Sequence, residues 1–171
     1  MQHIAFFRNV NQGQRGHPST EDLLAAVHSA GGSDAFAFRS NGTVVLKAES
    51  GNDVQSRLRM DAAGPLADRM VFVRPASLLE QFGPHGGSPA FGRLEVTVFD
   101  PEVQLNDVAA IESASRRGRC EIVAHGEGWA LVLNHVDRQS NGTPVVEKIT
   151  GRAATSRGLP TLLALAERLD L

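Results

Sequence analysis

The stretch Asp34–Ala48, DAFAFRSNGTVVLKA, decides the fold of this chain. Two apolar runs, 34–39 and 43–48, flank Asn41-Gly42, and an Asn-Gly pair in this setting is the strongest short-range signal for a β-hairpin. Because a hairpin pairs its strands antiparallel, this stretch argues against a single doubly wound parallel sheet.

Outward from this hairpin, the same order of element types occurs twice. The first half predicts a strand, helix, hairpin, helix and strand at 2–8, 19–31, 34–39 with 43–48, 52–63 and 69–74. The second half predicts the same series at 93–99, 106–116, 119–135, 143–150 and 152–155, followed by a closing helix at 159–170. The sequence therefore predicts an α+β protein: two tandem ferredoxin-like (βαββαβ) units with antiparallel sheets, plus a C-terminal helix.

The Gly- and Pro-rich stretch 83–92 predicts a linker between the two units, with the first unit at 1–82 and the second at 93–171. The run Ile4–Phe7 is apolar at every position, which indicates that both faces of the first sheet are covered. Helices cover only one face of such a unit, so the second half of the chain or a dimer partner should cover the other. The chain is thus expected to be a monomer or a homodimer.

Composition restricts the class of protein. The formal net charge is −2, so no overall basic field favours nucleic acid or an anionic membrane. Cys120 is the only cysteine, which excludes an internal disulfide and favours a reducing compartment. The N-terminus lacks the features of a signal peptide, and no apolar run is long enough to cross a membrane. A bacterial-type cytoplasmic protein is therefore expected.

Three stretches carry a resemblance to a known family: His3–Gly13 (HIAFFRNVNQG), Arg39–Leu46 (RSNGTVVL) and Ala154–Leu162 (ATSRGLPTL). In this order they resemble the "A-[FL]-L-R-G-I-N-V-G-G", "Q-S-G-N-V-V-F" and "A-T-x-R-N-W-x-T-V" segments of the uncharacterised bacterial domain of unknown function family 1697. The resemblance spans nearly the whole chain. It implies a pair of ferredoxin-like units, and it implies no particular biochemical activity.

The chain also departs from the family's pattern. Asn9 replaces a glycine, the order Ser40-Asn41-Gly42 replaces S-G-N, and Gly158-Leu159 replaces the Asn-Trp pair. The resemblance therefore implies a divergent member whose activity is altered or absent. The family-type residues that remain, with the site candidates Arg8, Asn11 and Ser40, are Gly13, Thr155, Arg157 and Thr161.

Topology predicts one candidate site. In a βαββαβ unit the first two strands are parallel, so their carboxyl ends lie at the same edge of the sheet. This places Arg8, Asn9 and Asn11, at the end of the first strand, beside Arg39, Ser40 and Asn41, at the end of the second. Two more residues on the first loop, Arg15 and His17, could close over them. Guanidinium and amide groups suit a carboxylate or phosphate, and the start of helix 19–31 would add amide donors. The alternative is that Asn41-Gly42 is only a turn and Arg8 only a solvated strand end.

Other chemistries lack support in the sequence. The six histidines show no metal-ligand spacing, no cofactor motif occurs, and no metal or cofactor is expected. Cys120 lies in a strand without a visible activating group, which predicts a core residue. The third strand, Thr43–Lys47, lacks the aromatic residues with which RNA-recognition modules stack bases, and the scarcity of aromatic residues argues against a barrel oxygenase.

The sequence does not name a function. The best prediction is a cytoplasmic module that binds a small anionic ligand or a protein partner. The alternatives are an enzyme acting on a phosphorylated or carboxylated metabolite, with His17 or Glu21 as its base, and a nucleic-acid-binding module. Arg157 is expected to be structural and bonded to backbone carbonyls or an acidic residue.

Overall fold

The computed structural model describes all 171 residues. The strands are β1 (Gln2–Phe7), β2 (Ser33–Phe38), β3 (Thr43–Lys47), β4 (Val71–Pro75), β5 (Leu94–Phe99), β6 (Cys120–Gly126), β7 (Trp129–Asn134) and β8 (Ala154–Gly158). The α-helices are α1 (Thr20–Ser29), α2 (Gly51–Met60), α3 (Val108–Gly118), α4 (Gly142–Thr150) and α5 (Leu159–Arg168). Short 3-10 helices occupy Gly64–Leu66, Ala76–His85 and Phe91–Arg93.

The strands form two four-stranded sheets, in the orders β2-β3-β1-β4 and β6-β7-β5-β8. Every neighbouring pair is antiparallel. Each sheet belongs to a βαββαβ unit, and the second unit is followed by α5. The predicted fold, two tandem ferredoxin-like units with a C-terminal helix, is confirmed.

In the first unit, α1 and α2 bury one apolar face against the sheet. Leu23 and Val27 of α1 and Val54 and Leu58 of α2 are buried at helical spacing, and they pack with Val44 and other inward residues of the strands. α1 begins at a complete capping box, because Ser19 accepts from the Asp22 amide and the Asp22 carboxylate accepts from the Ser19 amide.

Both faces of β1 are buried. Ala5 and Phe7 belong to the core beneath the helices, whereas Ile4 and Phe6 point to the opposite face and are equally inaccessible. Alternate residues of a strand point to opposite faces, so the continuous apolar run of β1 reflects burial on both sides.

The second unit has its own core beneath α3 and α4. Phe99, Val132 and Val146 are fully buried there, and Cys120 joins them. The expectation that Cys120 is a core residue is confirmed: burial, and then the charge of Glu95, raise the pKa of its thiol to about 11. The thiolate is therefore disfavoured at neutral pH.

All predicted elements exist, with shifted ends. β8 covers Ala154–Gly158 rather than 152–155, because Gly151 ends α4 in the left-handed conformation, with φ of 66°, before the strand begins. α2 ends at Met60 rather than 63, ahead of the turn that contains Pro65. In the first hairpin, β2 ends at Phe38 and pairs it with Thr43 of β3, so the loop contains four residues.

The chain divides into two compact units, Met1–Leu78 and Leu79–Leu171. Much of the stretch predicted as a linker, 83–92, lies in 3-10 turns and groups with the second unit. No helix is both long and apolar enough to cross a membrane.

Candidate functional site

The first two strands of the first unit end at one edge of its sheet. β1 and β2 both pair antiparallel with β3, which lies between them, so they are parallel to each other. The loops that follow them are joined directly, since the amide of Gln12 donates to the carbonyl of Ser40 at 2.9 Å. We call residues 8–17 and 39–42 together the loop edge.

The hairpin half of the loop edge has a fixed shape. Arg39 and Gly42 both adopt left-handed backbone conformations, with φ of 62° and 73°. A Cβ on Gly42 would lie 2.8 Å from Val10 Cβ and 2.9 Å from the carbonyl oxygen of Phe7, so a larger residue would collide as well as strain the backbone. The amide of Phe7 donates to the Gly42 carbonyl at 2.8 Å and ties this turn to β1.

The loop after β1 is held by Arg69. Its guanidinium donates to the carbonyl of Asn9 at 2.6 Å and to that of Gly16 at 3.5 Å, near the two ends of the loop. Asn9 has φ of 54°, a left-handed conformation that asparagine tolerates better than most residues. One side chain distant in sequence therefore clamps the loop that carries the candidate residues.

Gln12 connects three parts of this region. Its side-chain oxygen accepts from the Gly42 amide at 2.9 Å, and its side-chain nitrogen donates to the hydroxyl of Thr20, the first residue of α1, at 3.2 Å. Sequence reasoning missed both Gln12 and Arg69. Gln12 lies inside the quoted family-type segment, which was a usable signal, whereas nothing local marks Arg69 as a partner of residues 53 and 60 positions away.

All eight candidate residues belong to the two hydrogen-bonded loops of the loop edge, but their side chains differ in availability. Arg15 and Arg39 are exposed and form no ion pair, and the Arg39 guanidinium lies 5.4 Å from the centre of the Phe38 ring. Arg8 is half-buried and already engaged in the fold. Asn9 and Ser40 are exposed at the surface.

The remaining candidates are partly used in local hydrogen bonds. His17 Nδ1 accepts from the amide of Asn11 at 3.0 Å, which fixes the ring orientation and leaves Nε2 without a hydrogen bond within the chain. The side-chain oxygen of Asn41 accepts from the Thr43 hydroxyl at 2.8 Å. These contacts make His17 and Asn41 supports of the loop as well as candidate ligands.

The start of α1 already holds a carboxylate of its own. The Asp22 carboxylate accepts from the Ser19 amide at 2.7 Å and from the Ser19 hydroxyl at 2.9 Å. These hydrogen bonds, the backbone one first, lower the pKa of Asp22, so its negative charge persists at the start of α1. A second anion at this helix terminus would meet that charge.

The other family-type residues lie elsewhere. Gly13 is in the loop after β1 with φ of 91°, whereas Thr155, Arg157 and Thr161 are in β8 and the first turn of α5. Arg157 is buried and donates to the Thr155 hydroxyl at 2.9 Å and to the Ser156 carbonyl at 2.8 Å. Burial lowers its pKa to about 10, so the guanidinium remains charged at neutral pH. The expected bond to a backbone carbonyl is present.

A second polar cluster, which sequence reasoning did not single out, lies in the second unit. The carboxylate of Glu95, on β5, is buried and accepts from the Gly142 amide at 2.6 Å and from the Ser140 hydroxyl at 2.5 Å. Beside it, the hydroxyls of Thr97 and Ser156 share a hydrogen bond of 2.8 Å. Gly142 begins α4, so Glu95 caps that helix from a neighbouring strand.

No group of three or more His, Cys, Asp or Glu side chains is arranged to hold a metal ion. Among the candidate residues of the loop edge, Arg15 and Arg39 are exposed arginines without an ion pair.

Comparison with known proteins shows the fold. No family model matches the chain, and no curated protein matches its sequence. Among solved structures, the conserved bacterial protein SP0830 from Streptococcus pneumoniae is similar, with a TM-score of 0.63, 13% identity and coverage of 98% of both chains. At this identity the likeness shows the fold alone.

Two structures of the Sex-lethal protein also align. One is a protein/RNA complex, with a TM-score of 0.33, and the other comprises RNA recognition domains 1 and 2 from Drosophila melanogaster, with a TM-score of 0.29. Both are 12% identical to this chain and cover 92% of it, over 98% and 99% of their own lengths. These scores are too low to support an argument about function.

Proposed function

We propose that this chain is a module that binds a small anionic ligand, a phosphate or a carboxylate, at the loop edge of the first unit. The observation that carries the proposal is that Arg15 and Arg39 are exposed and without ion pairs on two loops that Gln12 joins. Because the hydrogen bonds fix the two loops, ligand binding has to order the arginine side chains but not the backbone that carries them.

The charge of the loop edge supports this proposal. Residues 8–17 and 39–42 contain three arginines and no aspartate or glutamate. A guanidinium presents a rigid fork of donors that matches carboxylate and phosphate oxygens, and no carboxylate within these loops competes for it. Asn9, Asn11 and Ser40 add neutral polar groups that could complete the shell of an anion.

Binding without turnover is the simpler form of the proposal. The Nδ1 atom of His17 is occupied by the Asn11 amide, and Glu21 lies in the first turn of α1, where a carboxylate favours the helix. Neither side chain is hydrogen-bonded to a second titratable side chain that could orient it as a catalytic base. Turnover of a phosphorylated or carboxylated metabolite at this edge would show the enzyme alternative instead.

We further propose that the chain is a divergent, cytoplasmic member of the bacterial family 1697. The change from the family's glycine to Asn9 is conformationally mild, because Asn9 adopts the left-handed conformation that a glycine would also supply. Gly13, a family-type residue, also has positive φ, as does Gly42, which stands where the family's order has an asparagine. The backbone conformation of these loops is thus compatible with the family's sequence pattern even where the residue types differ.

Isothermal titration calorimetry with inorganic phosphate, pyrophosphate and citrate tests the binding function. Wild-type protein should bind at least one of these anions with Kd below about 1 mM, and binding should weaken as salt is raised. Arg15→Gln and Arg39→Asn should each weaken binding about tenfold by removing one charged hydrogen-bonding group. Asparagine is chosen at position 39 because it tolerates the left-handed backbone there.

Arg152→Gln is the matched control, since Arg152 is an exposed arginine in the second unit. It should leave the titration unchanged. Equal effects of Arg39→Asn and Arg152→Gln would reduce the observation to a general charge effect and refute the site. The absence of binding to all three anions at about 10 mM would refute the function itself.

A further inference from the structure

A groove on the surface of the second unit lies outside the proposed anion site. It has a volume of about 500 Å³ and runs between α3 and α4. Ala110, Ala114 and Ile149 contribute an apolar floor, and Arg117 and Lys148 stand at its rim. This is the α3–α4 groove.

The groove is open because most of the α3 residues that line it are small. The two helices touch where Gly118 faces Val145, since a Cβ on Gly118 would overlap the Val145 side chain. Further along α3, Ala114 and Ala110 are too small to fill the space before Ile149. Part of the second unit's apolar surface is therefore left accessible between two rigid helices.

The rim of the groove is cationic. Arg117 and Lys148 are exposed, and neither forms a hydrogen bond or an ion pair within the chain. No aspartate or glutamate lines the groove. The corresponding groove between α1 and α2 is smaller, about 240 Å³, and is lined by Asp22 and Asp61 as well as by arginines. Of these two grooves, the α3–α4 groove is therefore the one lined by cations without carboxylates.

We propose that the α3–α4 groove docks an amphipathic α-helix of a protein partner, with apolar side chains on the floor and acidic side chains against Arg117 and Lys148. An apolar helix stripe laid in a groove between helices is a common mode of recognition, and the acidic flanks supply charge complementarity. The groove is open along its length, so a partner helix can bury one face there and keep its polar face in water.

Two other occupants fit less well. A lone acyl chain in so open a groove would keep one side in water and lose much of the gain from burial. A second copy of this chain offers no matching helix, because its exposed large apolar residues, among them Met60, Val108 and Val123, are scattered over different elements.

The test uses a fluorescein-labelled helical peptide of about 16 residues, with leucines along one face and glutamates beside them. Fluorescence anisotropy with the full chain should give a Kd on the order of 10–100 µM. A sister peptide with lysine in place of every glutamate keeps the apolar face and should bind at least about tenfold more weakly.

Lys148→Glu and Arg117→Glu should each weaken the acidic peptide about tenfold and leave the lysine peptide no weaker. The matched control is Arg152→Glu, an equal change of charge at an exposed position outside the groove, which should not alter the affinity. Circular dichroism of each variant shows whether it is folded, and the comparison of the two peptides on wild-type protein needs no variant at all.

Several results would overturn the proposal. Equal binding of the two peptides, or no binding of either, would remove the charge complementarity on which it rests. Dodecanoate binding that depends on Lys148, without peptide binding, would assign the groove to an acyl ligand. A wild-type dimer in light scattering that Lys148→Glu dissociates would assign it to a second copy.

Discussion

In both units the second helix begins beside the second residue of the first strand, but the two helix starts are capped differently. His3 is the second residue of β1 and lies against Gly51, the first residue of α2, whereas Glu95 is the second residue of β5 and lies against Gly142, the first residue of α4. In the first unit the helix is capped locally, because the Ser50 hydroxyl accepts from the Asp53 amide at 3.2 Å.

In the second unit the cap is distant in sequence. Asn141 makes no side-chain capping bond, and the Gly142 amide donates instead to Glu95, 47 residues earlier. At the same place in the fold, the backbone amides that begin a helix can thus be capped by a neighbouring side chain or by a buried carboxylate from a strand. In the second unit the start of the helix therefore depends on one buried carboxylate.

The largest expected effect is that of Gly142→Ala. The new Cβ would overlap Thr97 Oγ1 and lie 2.9 Å from Glu95 Oε1, so the helix start must move away from its cap. We expect a loss of about 2–4 kcal/mol in the free energy of unfolding, from overpacking and a weakened charged hydrogen bond. Urea denaturation measures it, with Gly92→Ala, which meets nothing within 4 Å, as the control.

Gly51→Ala is the matching substitution in the first unit. Its Cβ would lie 2.5 Å from Cδ2 of His3. The collision is with a side-chain ring and not with the groups that cap the helix. We expect a smaller loss than for Gly142→Ala, about 1–2 kcal/mol. Equal losses for the two alanine variants would show that the units do not differ at this position.

The next effect is that of Glu95→Gln. A glutamine of the same shape can still accept from the Gly142 amide and donate to the Ser140 hydroxyl, but it lacks the negative charge that strengthens both hydrogen bonds. We expect a loss of about 1–2 kcal/mol in the free energy of unfolding measured by urea denaturation, since two charge-assisted hydrogen bonds become neutral ones. A loss below about 0.5 kcal/mol would show that the carboxylate contributes nothing net to the helix start.

Each unit contains a buried arginine at the same position of its last strand. Arg74 and Arg157 are each the fourth residue of the last strand, and each donates to the carbonyl of the preceding residue at 2.8 Å. Arg157→Ala and Arg74→Ala should each cost about 1–3 kcal/mol, because buried hydrogen-bonded groups lose their partner. Thermal denaturation measures both. An unchanged midpoint for Arg157→Ala, together with lost anion binding, would instead place Arg157 in a functional site.

The smallest effect is a pH dependence that arises from His3. Burial is the main cause that lowers the pKa of His3 below its usual 6.5. The unfolded chain therefore takes up a proton at this residue before the folded chain does, so stability is lost as the pH falls from about 6.5 toward the folded pKa. His3→Gln should flatten this part of a stability-against-pH curve, whereas His125→Gln, at an exposed position of β6, should not.

Local signals in the sequence determined most of the fold. The Asn-Gly pair, the alternation of helix and strand periods, and the Ser19–Asp22 capping box each involve residues close together in the chain. The capping box and both hairpins are present in the structure. Parallel placement of β1 and β2 followed from that element order, so the meeting of residues 8–17 with 39–42 was also predictable.

The contacts that hold those loops and helix starts became visible in the folded structure. Arg69 reaches residues 53 and 60 positions away, Glu95 reaches 47, and Gln12 reaches 30. It also showed that Asp22 already occupies the start of α1, and that Arg117 and Lys148 flank one apolar groove. Such contacts depend on how elements far apart in the sequence pack against each other. The residues next to each partner in the chain do not reveal that packing.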